Sequence, residues 1–212
     1  MRIWDISEPI EPATAVFPGD TPFSASWVMR QDRGDSCSVS AITMSPHAGT
    51  HADAPSHFAL DGADITQVPL DAYIGRCRVI DVRGSGEPPI VDPGSLGPVS
   101  GVERILLRTR AAHDHRAWDP AFTALGVPAA RALAAAGVRL VGIDTPSMDP
   151  AAAKELATHH VLAAAGIMLL ENLDLSGVPA GDYELIALPL RIVGGDSSPV
   201  RAILRELPEP RA

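Results

Sequence analysis

The chain has 212 residues, of which 46% are hydrophobic and 20% charged, with a formal net charge of −9 at pH 7. This length suits one sizeable hydrophobic core and is short for two, so we predict a single domain over residues 1–212. The acidic balance disfavours nucleic acid or an anionic membrane as a partner. No apolar run reaches the ~18 residues of a membrane span, and no apolar leader follows Met1, so we expect a cytoplasmic protein. Cys37 and Cys77 are predicted to be free thiols, as in a reducing compartment.

The first half of the sequence predicts strands and loops. Apolar or alternating runs predict strands over residues 2–6, 37–44, 76–82 and 103–109. The stretch from Gly84 to Pro98 is rich in proline and glycine and predicts a long surface loop.

The second half mixes helices with short buried strands. Two segments begin with proline and end before glycine, which predicts helices over residues 128–136 and 150–165. Strands are predicted over residues 138–143, 167–170, 184–190 and 199–204. The fold class is therefore α/β or α+β, with a few helices packed on a mixed sheet.

Residues 47–57 concentrate metal-binding side chains: His47, His51, Asp53 and His57. Imidazole nitrogen and carboxylate oxygen are the ligands preferred by Zn²⁺ and its neighbours in the first transition row. Glycine and proline within the segment disfavour a helix, and in an extended chain His51 and Asp53 point to the same face. Fully extended, the segment would span roughly 33 Å, too far for one ion. We therefore predict bends at Gly49 and Pro55.

Three later residues are candidates to complete such a site. Glu171 follows the apolar run 167–170, where a buried carboxylate is costly unless a cation or several donors satisfy it; the alternative is a strand end that reaches solvent. His159 and His160 lie on the second predicted helix, where neighbouring side chains project about 100° apart. The sequence pattern leaves open which of the two faces the core.

A resemblance to a known family covers most of the chain. The string that carries it is His47-x-Gly49-Thr50-His51-x-Asp53-x-Pro55-x-His57-Phe58, which resembles the signature of the cyclase-like metal-dependent hydrolases. Within that family, residues 5–7, 17–22, 142–147 and 159–173 resemble the bacterial kynurenine formamidases (arylformamidases). The resemblance implies a barrel-like core of the swivelling β/β/α type and a homodimer.

The same resemblance implies a role for each candidate residue. Two Zn²⁺ ions per subunit are expected, with Mn²⁺, Co²⁺ or Fe²⁺ as alternatives. The implied metal ligands are His47, His51 and Asp53 for one ion, and Asp53, His159 and Glu171 for the other, with Asp53 as the bridge. The resemblance also implies that His57 is the catalytic proton donor and acceptor. Phe17 stands where the family often has tryptophan and is expected to contact an aromatic substrate.

The reaction that this resemblance implies is hydrolysis of N-formyl-L-kynurenine to L-kynurenine and formate. The sequence contains no Gly-x-Ser-x-Gly motif, the usual sign of a serine hydrolase. A related hydrolase acting on a cyclic amide such as isatin is the first alternative. A non-catalytic metal-binding protein is the second, although all the expected site residues are present.

Overall fold

The computed structural model describes residues 1–84, 89–112 and 114–208. In this part of the chain the strands are β1 (Ile3–Asp5), β2 (Ser24–Met29), β3 (Val39–Thr43), β4 (His51–Asp53), β5 (Ile74–Asp81), β6 (Ile90–Val91), β7 (Arg104–Arg108), β8 (Ala124–Leu125), β9 (Leu140–Ile143), β10 (Met168–Leu170), β11 (Gly181–Ile186), β12 (Ser197–Pro199) and β13 (Ile203–Glu206). The helices are α1 (Val127–Ala135) and α2 (Ala157–Ala164).

The main sheet has seven strands in the order β1-β13-β11-β5-β7-β9-β10. Strands β5, β7, β9 and β10 run parallel to one another, whereas β1, β13, β11 and β5 pair in antiparallel fashion. Three two-stranded sheets accompany it: β2 with β3, β4 with β12, and β6 with β8. The predicted mixed sheet with few helices is confirmed, and the class is α+β.

The main sheet carries a hydrophobic core on each face. Successive residues of β7 alternate between the two cores: Leu106 packs in one, and Ile105 and Leu107 pack in the other. The second core also contains the buried residues of α1 and α2, among them Leu133 and Leu162. Because both faces of β7, β9 and β10 are covered, residues 105–107, 140–143 and 168–170 form continuous apolar runs, whereas β5 alternates apolar residues with arginine.

The parallel strands end at one edge of the sheet, and this edge forms one side of a pocket. Arg110 follows β7, Ser147 follows β9 and Glu171 follows β10, and all three line that pocket. The buried Asp144 joins two of these strand ends, because its carboxylate accepts hydrogen bonds from the backbone N–H groups of Thr109 and Arg110. Ligands in sheets with parallel strands bind at this carboxyl edge.

The second helix starts later than predicted, at Ala157 instead of Pro150. Leu156 just before it is in the left-handed region, with φ +44°, which interrupts helical geometry. The carboxylate of Asp149 accepts hydrogen bonds from the backbone N–H groups of Thr158 and His159 and so caps the helix from a distance in sequence. The proline therefore begins a series of turns and not the helix itself.

Other element boundaries also differ from the prediction. Strand β11 spans Gly181–Ile186, earlier than the predicted 184–190, and β13 spans Ile203–Glu206, later than the predicted 199–204. Strand β2 was not predicted, because its residues are almost all exposed and its sequence carries no buried face. Within the predicted loop Gly84–Pro98, residues 85–88 lie outside the described part of the chain, and β6 and a turn at Pro93–Leu96 follow.

Strands β2 and β3 form an exposed hairpin. Trp27, Val28 and Ile42 are each more than half exposed. Apart from their pairing with each other, β2 and β3 make no extensive contact with any strand or helix of the described residues. Both cysteines are free, as predicted; Cys37 is exposed near this hairpin and Cys77 is buried. In the described ranges, no helix is long and apolar enough to cross a membrane.

Candidate metal centre

The histidine-rich segment bends at both predicted positions. Gly49 has φ +67°, and a Cβ there would approach Ile10 Cγ1 to 3.2 Å, so this position favours glycine. Between the bends lies β4, which is extended as predicted. Pro55 begins a short 3₁₀ turn, Pro55–His57, which turns the chain before His57.

Backbone hydrogen bonds join β4 to the residue that follows β10. The N–H of His51 donates to the carbonyl of Glu171 at 3.2 Å, and the N–H of Glu171 donates to the carbonyl of His51 at 3.1 Å. On its other side β4 pairs with β12, with Asp53 opposite Ser197. The two sequence motifs, far apart in the chain, are thus held in register by main-chain contacts.

Four side chains meet beneath this junction and form what we call the deep cluster: His51, Asp53, His159 and Glu171. Each is at most 3% exposed. Nε2 of His51 lies 3.4 Å from Asp53 Oδ1 and 3.4 Å from Glu171 Oε2. Nε2 of His159 lies 3.6 Å from Asp53 Oδ2 and 3.3 Å from Glu171 Oε1.

The deep cluster leaves buried polar atoms unsatisfied. His51 Nε2 and both carboxylate oxygens of Asp53 have no hydrogen-bond partner among the described residues. Such atoms are costly to bury without a partner. One ligand atom each from Asp53, His159 and Glu171 lies within 4.8 Å of the others, and the same holds for His47, His51 and Asp53. Two groups that share Asp53 therefore fit the donor set and spacing of a pair of divalent cations.

The charges of the deep cluster perturb its pKa values strongly. Burial alone would lower the pKa of His51, but the carboxylates of Asp53 and Glu171 outweigh it and raise the pKa to about 10. Burial alone would raise the pKa of Asp53, but the three neighbouring histidines hold it well below its usual value. The pKa of Glu171 is lowered in the same way, against burial and the charge of Asp53.

The inward nitrogen of each deep histidine is fixed by a partner on the opposite side of its ring. His51 Nδ1 lies 2.8 Å from the Gly49 carbonyl oxygen, which can only accept, so this nitrogen carries the proton. His159 Nδ1 lies 2.6 Å from Asp149 Oδ2. In both rings Nε2 is left to face the cluster, the arrangement that supports histidine ligands in metal sites. Burial alone would lower the pKa of His159, but the carboxylates of Asp149, Asp53 and Glu171 outweigh it and raise the pKa to about 12.

The structure also separates the two adjacent histidines. His159 is buried in the deep cluster, whereas His160 is exposed. Both rings approach Phe58, with centroid distances of 5.4 Å for His159 and 5.9 Å for His160. The residue that faces the core, left open by helical spacing, is His159.

Nearer to solvent lies a second group, the rim cluster, formed by His47, His57 and Asp196. Asp196 Oδ2 is 3.1 Å from His47 Nε2 and 3.5 Å from His57 Nδ1, and the two rings are 4.2 Å apart. His47 joins both clusters, because its Nδ1 is 3.2 Å from Asp53 Oδ1. Burial lowers the pKa of His47, but Asp53 and Asp196 raise it overall.

Two carboxylates of the site were missed by sequence reasoning. Asp149 directly precedes Pro150, where the sequence predicts the start of a helix, and an acidic residue just before a predicted helix is a capping signal that could have been used. Asp196 directly precedes β12 and reaches the rim cluster because β12 pairs with β4. Its sequence surroundings carry no comparable signal.

A pocket of about 460 Å³ opens over both clusters. Its lining includes His47, His51, His57, His159 and Glu171. Phe17 lines it as well, 43% exposed, with its ring centroid 4.9 Å from that of Trp118. Phe17 and five of the six candidate metal-binding and catalytic residues selected from the sequence therefore line one cavity. The sixth, Asp53, lies beneath it in the deep cluster.

Comparison with known proteins agrees with this geometry. Residues 4–150 match the model of the Cyclase family, described as “Putative cyclase”. Among solved structures, the chain is similar to a “potential metal-dependent hydrolase with cyclase activity”, with 28% identity, a TM-score of 0.82 and coverage of 96% of both chains. It is also similar to a “predicted metal-dependent hydrolase” from Bacillus stearothermophilus, with 28% identity, a TM-score of 0.80 and coverage of 96% of this chain and 97% of that chain.

A third similar structure carries a more specific description. It is isatin hydrolase A from Labrenzia aggregata bound to benzyl benzoate, with 26% identity, a TM-score of 0.78 and coverage of 96% of this chain and 93% of that chain. The family model spans more than half of the present sequence. The chain therefore belongs to the Cyclase family.

Proposed function

We propose that this protein is a metal-dependent amide hydrolase with two divalent cations, Zn²⁺ in the first instance, bridged by Asp53. The observation that carries the proposal is the position of the Asp53 carboxylate. Its Oδ1 approaches His47 and His51, its Oδ2 approaches His159, and neither oxygen has a hydrogen-bond partner in the described chain. A carboxylate between two sets of ligands suits a bridge, and Mn²⁺, Co²⁺ or Fe²⁺ would suit the same donors.

When bound, such cations lower the pKa of water to near neutrality and polarise an amide carbonyl. The residues of the chain supply the remaining functions. His57 stands at the pocket surface above the ligands, where it takes up the proton of the attacking water and delivers it to the departing nitrogen. Asp196 Oδ2 lies on the Nδ1 side of this ring and orients it.

The substrate that we propose is N-formyl-L-kynurenine, hydrolysed to formate and L-kynurenine. Phe17 lines the pocket and supplies aromatic surface for the substrate ring. The pocket is also lined by side chains of both charges, among them Glu8, Arg110 and Lys154, which suits a substrate with both an ammonium and a carboxylate group. Isatin is the second candidate, supported by the similarity to isatin hydrolase A, and it is an aryl amide as well.

A single assay tests both the reaction and its metal dependence. Zinc-loaded protein is mixed with N-formyl-L-kynurenine while the absorbance of kynurenine is followed, with isatin and a chelated sample in parallel. Turnover that is abolished by chelation and restored by metal supports the proposal. If the metal-loaded protein hydrolyses only isatin, isatin replaces N-formyl-L-kynurenine as the proposed substrate. If it hydrolyses neither compound, both substrate proposals are refuted.

Adjacent histidines offer a matched control for the ligand assignment. His159→Ala is expected to lose metal and activity, because Nε2 of His159 faces Asp53 and Glu171. His160→Ala alters the neighbouring, exposed residue on the same helix and is expected to retain both. Equal loss in the two variants would indicate damage to α2 instead of loss of a ligand.

We also propose that the protein is a homodimer assembled through the β2–β3 hairpin. Two-stranded hairpins are marginally stable alone, and this one exposes Trp27, Val28 and Ile42. Trp27 pairs with Ser40 and Ala25 pairs with Ile42, so Trp27 and Ile42 lie on the same face. Light scattering on the wild-type protein should give twice the chain mass. A Trp27→Lys variant should shift towards monomer, and a monomeric wild-type protein would refute the proposal.

A further inference from the structure

We propose that Trp118 is a specificity-determining residue that forms, together with Phe17, a subsite for an aromatic ring. This inference rests on the proposed amide hydrolase for the identity of the substrate class. Binding of the ring itself can be measured without any reaction. The sequence pattern gave no indication of Trp118, which lies in an irregular segment between β7 and β8.

The two rings form a corner and not a stack. Their centroids are 4.9 Å apart with an angle of 71° between the ring planes. Both line the same pocket as His57. A third ring that enters such a corner can place its face against one aromatic and its edge against the other, which are the favoured geometries of aromatic pairs. Phe17 alone, with 43% of its surface exposed, encloses a ring poorly.

Trp118 also packs against a buried aromatic residue. Its ring lies 6.1 Å from that of Phe122 at an angle of 75°, and Phe122 is buried. Trp118 is itself half-buried. The indole therefore contacts both a buried ring and the pocket ring of Phe17, and these contacts restrict it before a ligand arrives.

Hydrogen bonds fasten the two segments that carry the corner. Oε1 of Glu11 accepts hydrogen bonds from Arg116 Nε at 2.6 Å and from His115 Nε2 at 2.8 Å. The backbone N–H of Ala15 also donates to the carbonyl of His115 at 2.8 Å. Phe17 follows shortly after Ala15, and Trp118 follows shortly after Arg116. The spacing of the two aromatic rings is thus set by the fold, and a preorganised subsite loses less entropy when it binds a ring.

The first test measures binding to the metal-loaded protein with two ketones that contain no amide bond. Acetophenone presents an aromatic ring, and cyclohexyl methyl ketone is its saturated counterpart of similar size. Calorimetric titration of the wild type should favour acetophenone by up to about tenfold, the range expected for aromatic pairing. Trp118→Leu should remove this preference, and Trp118→Phe should retain most of it.

A second tryptophan provides the control. Trp4→Phe replaces a half-buried residue of β1 that packs against Tyr183 and does not line the pocket, and this variant should bind both ketones as the wild type does. A Trp118→Leu variant that keeps its fold by circular dichroism and also keeps the preference for acetophenone would overturn the inference. A wild type without any preference would overturn it as well.

The kinetic test separates this inference from the proposed function. The ratio of kcat/KM for N-formyl-L-kynurenine to that for an N-alkyl formamide should fall in Trp118→Leu, chiefly through KM. An unchanged ratio in an active enzyme would refute the role of Trp118 while leaving the hydrolase intact. If no amide is hydrolysed, but acetophenone binding still depends on Trp118, the proposed function fails and the subsite stands.

Discussion

The deep and rim clusters contain the same kinds of side chain but differ in burial. In the deep cluster the histidines and carboxylates lie at the bottom of the pocket, and each residue is at most 3% exposed. In the rim cluster the side chains of His57 and Asp196 are 33% and 48% exposed. Buried charges must be compensated locally, whereas a half-exposed histidine can exchange protons with solvent. Under the proposed function, this difference favours ion binding in the deep cluster and proton transfer at His57 in the rim cluster.

His47 belongs to both clusters, which makes the boundary between them testable. One of its nitrogens faces the buried Asp53 and the other faces Asp196. A carboxylate on the outer nitrogen leaves the inner one to act as a ligand, as Asp149 does for His159. If the division of roles is correct, changes in the deep cluster or at His47 should alter metal content, and changes at His57 or Asp196 should alter turnover at constant metal content.

The largest effect is expected for Asp53→Ala. Because one carboxylate faces both groups of ligands, its removal should abolish binding of both ions together. Metal content measured by mass spectrometry should fall from two ions per chain to none, with activity lost in parallel. Asp61→Ala removes an exposed carboxylate and should leave metal content unchanged. A folded Asp53→Ala protein that retains two ions would rule out the bridge.

His57→Ala tests whether the rim cluster acts in proton transfer and not in metal binding. This variant should retain its metal and lose turnover by about 10²–10⁴-fold, the usual contribution of a positioned proton donor. Steady-state kinetics and metal content are measured on the same preparation. Loss of one ion in this variant would make His57 a ligand and would merge the two clusters into one functional unit.

A smaller effect is expected when the support of a ligand is altered and the ligand is kept. Asp149→Asn preserves the size of the side chain and one acceptor for the hydrogen bond from His159 Nδ1, but removes its negative charge. Metal affinity should fall by roughly 10–100-fold, as is typical of such supporting residues. Competition with a chromophoric chelator measures this change. Unchanged affinity would show that the carboxylate serves only to cap α2.

Sequence and structure agree best where the chemistry is local. The candidate metal-binding side chains of residues 47–57, the bends at Gly49 and Pro55, and the extended His51–Asp53 segment follow from residue type and spacing alone. Asp196 and Trp118 could not be identified in this way, because they reach the site only through the pairing of β12 with β4 and through the contacts of Glu11. The start of α2 was misplaced for a related reason, since its cap is Asp149, outside the usual capping position.

The smallest expected effect concerns the pH dependence of the metal-free protein. Its deep cluster is compensated by protons, because the pKa of His51 is raised to about 10 and that of His159 to about 12 from 6.5. A group whose pKa is raised by folding stabilises the fold fully below its unfolded value and loses that contribution as pH rises through the folded value. Asp53 and Glu171, with lowered pKa values, lose their contribution only in acid.

The Tm of chelated protein should therefore decline as pH rises from 6.5 towards 10. The Tm of metal-loaded protein should decline less over the same range, because the cations replace these protons. In acid, protons compete with the cations for the histidines, so the Tm curves of the metal-loaded and chelated protein should approach each other. Chelated His57→Ala should follow the chelated wild type, since its altered side chain lies at the rim. Parallel curves with and without metal would mean that the deep histidines are neutral in the metal-free protein, and that burial outweighs the carboxylates around them.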